Sequence, residues 1–141
     1  MNLQEIHEPT GILNTKSLVY ILETTEKPVS ANRRYKILAE QRDSKKRPYV
    51  YAWKKLRNGQ SPLRGFCKVE IWSSFDQDVD APIKFVLDTM KGVLIEDDDQ
   101  IVKIEASRIK IKKQKIKIKI TYLGNVHDIM IARLKVEKYA S

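Results

Sequence analysis

Cys67-Lys68-Val69-Glu70-Ile71-Trp72, then Asp78-Val79-Asp80-Ala81-Pro82-Ile83-Lys84 and Phe85-Val86-Leu87-Asp88-Thr89-Met90, is the stretch that decides the fold. Its first part alternates polar and apolar residues, which predicts a strand with one buried face. Its last part repeats Ile83, Val86, Leu87 and Met90 at helical spacing, which predicts a helix over Asp80 to Met90 with one apolar face. Asp80 is the expected N-cap, because its carboxylate can accept an orphan backbone N–H. Pro82 then falls in the first turn, where a missing N–H does little harm. Gly92 is placed to close the helix.

Working outward, Ser17 to Leu22 is β-branched and aromatic and predicts a buried strand. Pro48 is read as opening a helix through Tyr51, Trp53 and Leu56 that ends near Asn58-Gly59. Ile101 to Ile111 and Lys115 to Tyr122 read as strands, joined in a hairpin around Lys112-Lys113-Gln114. In Lys115-Ile116-Lys117-Ile118-Lys119-Ile120 the lysines share one side and the isoleucines the other. Ile129 to Val136 fits a last strand or a short helix equally well. The fold class is α+β: a single compact domain with a mixed β-sheet of about four strands and two main helices.

With 141 residues, 42% of them hydrophobic, the chain suits one domain with a modest core. Cys67 is the sole cysteine, so no intrachain disulfide forms, and a reducing, cytoplasmic setting is expected. No apolar run is long enough to cross a bilayer, and residues 1–15 lack a signal-peptide pattern. The net charge of +9 points to a polyanionic partner, nucleic acid before membrane. No helix with a Lys/Arg face and an aromatic face supports the membrane option.

Against that basic background stand Asp78 and Asp80, then Glu96-Asp97-Asp98-Asp99. Clustered carboxylates repel unless a cation neutralises them. Residues two apart in an extended segment point to one side, so Asp78 and Asp80 can converge on one ion, and an aspartate of the later run can complete the set. Oxygen-only ligands select Mg²⁺, with Mn²⁺ as the alternative. Such an ion activates water and stabilises charge on a scissile phosphate. The plain alternative is a solvated acidic loop with Asp80 as a cap. A calcium loop starting at Asp76 is excluded by Ala81 and Leu87, where Gly and Glu are required. Lys84, one turn after Asp80, is either half of an intrahelical ion pair or a cation beside the reacting phosphate. His7 and His127 are isolated, no zinc or Walker-type pattern is present, and Cys67, Trp53 and Trp72 read first as core.

These residues resemble the RusA family of Holliday junction resolvases. The resemblance lies in Asp78-Val79-Asp80, Lys84, Asp88, Gly92, Asp97-Asp98-Asp99-Gln100-Ile101-Val102 and the basic strand that follows. Upstream, Pro28-Val29-Ser30-Ala31-Asn32-Arg33-Arg34-Tyr35 is similar to the family's Pro-x-Ser-x-Asn-x-x-Tyr loop. The resemblance implies a Mg²⁺-dependent homodimer that nicks DNA four-way junctions at symmetric positions. It assigns Asp78, Asp80 and Asp98 as metal and catalytic carboxylates, with Asp97 as the fallback for Asp98, and Lys84 as the lysine needed for cleavage. Asn32, Arg33, Arg34 and Lys84 are the expected DNA contacts. Ala81 stands where the family often has Asn, which keeps open a non-catalytic nucleic-acid-binding module of the same fold. A nuclease for other branched DNA is the further alternative. Residues 1–15 and 126–141 are expected to be additions to the core.

Overall fold

The computed structural model describes residues 18–29 and 39–124, with side chains of the first helix from residue 43 onward. Its elements are β1 (Val19–Thr24), α1 (Ala39–Arg57), β2 (Phe66–Ser73), α2 (Ile83–Met90), β3 (Ile101–Arg108) and β4 (Ile116–Gly124). The strands form one mixed sheet in the order β1-β4-β2-β3: β4 is antiparallel to β1 and β2, and β3 is parallel to β2. The α+β class, the four strands and the two helices stand as expected from the sequence.

Alternation drives β2 and β4. Cys67, Val69 and Ile71 of β2 and Ile116, Ile118 and Ile120 of β4 all point inward and are buried. They meet Tyr49 and Trp53 of α1 and Phe85, Val86 and Met90 of α2 in one core. The Tyr49 and Phe85 rings pack edge to face with centroids 5.1 Å apart. Trp53 donates its indole N–H to Thr89 Oγ1 at 3.1 Å, and Thr89 donates on to Val86 O, so both buried polar groups are satisfied.

Three expectations are corrected. First, β3 and β4 do not form a hairpin: β2 lies between them. The inward faces of β2 and β4 are the most apolar, so these strands pair at the centre, and the largely exposed β3 takes an edge. Second, α1 begins at Ala39 and carries Pro48 inside it. Pro48 is exposed, so water can satisfy the carbonyl that its missing N–H leaves free, while Tyr49 and Trp53, one turn apart, hold the buried face. Third, Asp80 does not cap α2. Pro82 is the N-cap, without a side-chain cap bond, and residues 78–83 form two tight turns, Ala81 N to Asp78 O at 3.0 Å and Ile83 N to Asp80 O at 3.1 Å. Gly92 does adopt the left-handed conformation past the helix end, φ 79°, but its N–H bonds Ile95 O in the turn that follows. Asn32, Arg33, Arg34 and the 1–15 and 126–141 additions lie outside the described residues. Among those described, no helix is long and apolar enough to cross a membrane.

Candidate functional site

The crossover β2-α2-β3 places two acidic turns at opposite ends of α2. The first leaves the C-terminal end of β2. Phe75, Ala81 and Pro82 are buried and pin the segment to the core, which leaves Asp78, Val79 and Asp80 exposed at its crest. Among the described residues neither Asp78 nor Asp80 has a side-chain hydrogen bond or ion pair. Gln77 donates its Nε2 to Pro28 O at 2.9 Å, and its buried Oε1 has no partner among the described residues. That bond places Pro28 next to the segment that carries Asp78.

Lys84 is the exposed second residue of α2 and forms no ion pair with a described residue. The intrahelical pairing with Asp88 is absent, because Asp88 turns to Lys46 of α1, 3.8 Å away. Among the described residues, an unpaired ammonium therefore follows two unpaired carboxylates by four and six positions in the chain. This arrangement is suited to a substrate that brings phosphate and metal with it.

The second turn precedes β3. Asp97 accepts from Asp98 N at 2.9 Å, and Gln100 accepts Asp97 N at 2.8 Å through its own side chain, a capping box around the short 3-10 turn Asp98–Gln100. Gln100 Nε2 also donates to Leu63 O and Gly65 O at 2.7 and 2.8 Å, which fastens the turn to the chain entering β2. Lys91 reaches Asp97 at 3.3 Å and Asp98 at 3.8 Å. A hydrogen bond with Asp98 and then the Lys91 ammonium hold the Asp97 carboxyl below the usual range, and Asp97 in turn raises Lys91. Asp97 is thus engaged in building the turn. Asp98 is exposed and lies against Asp97 and, at 3.8 Å, Lys91, and Asp99 has no partner among the described residues.

The eight residues of α2, about 12 Å of helix, separate the two turns. No group of three His, Cys, Asp or Glu side chains able to hold a metal forms among the described residues. Asp78 and Asp80 lie on the turn before α2 and Lys84 is its second residue, whereas Asp98 lies beyond the other end of that helix. Sequence reasoning passed over Gln77, Lys91 and Ser74, whose roles depend on partners far away in the chain and leave no local pattern.

The model of the family described as endodeoxyribonuclease RusA matches residues 25–121. No curated protein matches the chain.

Proposed function

The chain belongs to the RusA endodeoxyribonuclease family, and on that premise we propose that it resolves DNA four-way junctions with the help of Mg²⁺ or Mn²⁺. The observation that carries the reading is the exposed Asp78 and Asp80, with Lys84 at the start of the next helix, all three without a side-chain partner among the described residues, on a chain of net charge +9. Mg²⁺ commonly takes one or two carboxylates and fills its remaining positions with water and substrate phosphate, so the donor set at this turn fits it. Bound there, the ion would supply an activated water and charge neutralisation at the phosphorus. Asp78 and Asp80 hold and orient it. Lys84 neutralises charge on the phosphate or its leaving oxygen. Asn32, Arg33 and Arg34 contact the strand entering from the Pro28 side.

The position of Asp98 supports a twofold homodimer in which each Asp78-Asp80 pair is completed by Asp98 of a second copy. A symmetric pair of such sites suits two equivalent nicks in a substrate of approximate twofold symmetry. The direct test is incubation of the protein with a synthetic junction and Mg²⁺ beside linear duplex of equal length. Paired nicks in the junction are expected, and an uncut junction under every divalent ion rejects the reading. Asp80→Asn should bind the junction and leave it intact.

Mixing Asp80→Asn with Asp98→Asn tests the shared site. A heterodimer would then contain one fully native site and regain single-strand nicking, whereas sites confined to one subunit would stay dead in the mixture. The separation of the carboxylates favours a second reading, a non-catalytic DNA-binding module. It predicts junction binding with no metal affinity that depends on Asp78 and Asp98, measured by Mn²⁺ titration.

A further inference from the structure

We propose that the lysine loop between β3 and β4, residues 109–115, with the Trp72 groove that it borders, is a second DNA contact that grips the backbone of a strand beside the Asp78-Asp80 turn. The inference rests on the DNA-cleaving reading above and extends it to a basic surface that borders the first acidic turn. The helices cover one face of the sheet, and no described element covers the other. On that open face Lys68 meets Glu70 and Glu105 at 3.6 and 3.8 Å, Lys103 meets Glu105 at 3.0 Å, and Lys115 meets Glu23 at 3.1 Å, while Lys117 and Lys119 have no acid partner among the described residues. Lys110, Lys112 and Lys113 of the loop are all exposed, and none pairs with a described acid. With Lys117 close by on β4, the loop gathers unpaired positive charge at one end of the sheet.

That end is also where the Asp78-Asp80 turn leaves β2, and the loop is fastened to it. Ser74 Oγ donates to Lys113 O at 2.7 Å and accepts from Lys115 N at 2.8 Å, while Ser74 N donates to Lys115 O at 2.9 Å. Ile109 N bonds Ser73 O at 2.9 Å, and Arg108 meets Asp76 at 2.8 Å. The loop thus has a fixed position relative to the acidic pair. Beside it runs a groove of about 320 Å³ lined by Glu23, Trp72, Ile109, Lys115 and Lys117. Lys117 Nζ lies 5.7 Å from the centre of the Trp72 ring. Lys115 holds Glu23, so the Trp72 ring with the Lys117 ammonium over it, next to the exposed Lys110, Lys112 and Lys113, fits a nucleic-acid strand, whose bases stack and whose phosphates pair. Charge complementarity selects this occupant over an apolar one.

The test compares two full-length variants of equal net charge, Lys112→Gln/Lys113→Gln and, on the last turn of α1, Lys54→Gln/Lys55→Gln. Binding to a labelled four-way junction is measured without divalent metal from about 50 to 200 mM salt. Two lost phosphate contacts lower the log–log salt slope by roughly 1.8, so the parent's affinity should fall about tenfold more than the loop variant's over that range. The α1 variant should keep the parent's slope. Equal slopes for the two variants overturn the proposal. Junction binding should also quench Trp72, since Trp53 is buried and hydrogen-bonded to Thr89, and Trp72→Phe should abolish the quench. Unquenched emission on binding overturns the groove's part. Cleavage of the junction by the parent with Mg²⁺ is scored separately. Intact cleavage with unchanged slopes rejects the loop alone, and lost cleavage with the slope difference intact rejects the nuclease reading alone. A parent that does not bind the junction rejects both.

Discussion

Replacing Gln100 by Leu should uncouple the second acidic turn from the sheet. The native carboxamide makes three hydrogen bonds, two to the carbonyls of Leu63 and Gly65 and one from Asp97 N. Leu fills a similar volume but makes none of them. Leu63 O keeps a second donor, Glu96 N at 3.2 Å. Gly65 O is left with only the weak Cys67 thiol at 3.8 Å. One buried, poorly satisfied carbonyl and two further lost bonds come to about 2–4 kcal/mol. For a chain of this size that lowers the Tm by roughly 8–16 °C. Urea melts at constant m-value measure it directly. Gln100→Glu is the sharper control. It keeps the acceptor for Asp97 N but turns a carboxylate toward two carbonyls, so it should be worse than Leu at neutral pH and recover as acid protonates it. A loss below about 0.5 kcal/mol for Gln100→Leu would refute the assignment of Gln100 as the clamp of this turn.

Thr89→Val should cost about 1–2 kcal/mol in chemical denaturation, because the buried Trp53 N–H loses its acceptor, and Thr89→Ser should largely restore it. Gly65→Ala should destabilise by about 3 kcal/mol or more, since a Cβ there collides with the Gly124 backbone carbonyl and the Tyr122 hydroxyl; a soluble variant with parental Tm would refute the close approach. Burial pushes the Cys67 thiol up to about 11 and also raises the Tyr49 hydroxyl. The unfolded chain therefore releases the thiol proton first, and stability should be full below about pH 8.5 and decline toward pH 11. Cys67→Ala should flatten part of that decline in urea melts, and an unchanged alkaline slope would contradict the shift.

The parts of the fold legible in the sequence were those whose signal is local. The Lys/Ile alternation of β4 and the alternation of β2 gave strands with the correct inward faces, and Ile83, Val86 and Met90 gave α2. Pairing was illegible because it is decided by competition: β3 follows α2 and lies near β4 in the chain, yet the more apolar β2 takes the place between them. The start of α1 was hidden because residues 39–47 show no apolar periodicity, and an exposed proline inside the helix looked like its beginning. Asp78, Asp80 and Lys84 could be read as a group because they are sequence neighbours on one turn and the helix after it. The distance to Asp98 could not be read, since it depends on which way α2 runs across the sheet.

The strand order also dictates a sequence of events as the chain is made. Only β2, α2 and β3 find their partners among near neighbours, so this unit can assemble while synthesis continues. By contrast β1 emerges first and must wait about a hundred residues, since Val19 aligns with Thr121 and Thr24 with Ile116. Until β4 is released, Tyr20 and Leu22 have no sheet to join, and one edge of β2 stands open to any other extended chain. A single late insertion, β4 sliding between β1 and β2, closes both gaps. The same strand that finishes the sheet thus sets how long a newborn molecule remains exposed to misassembly.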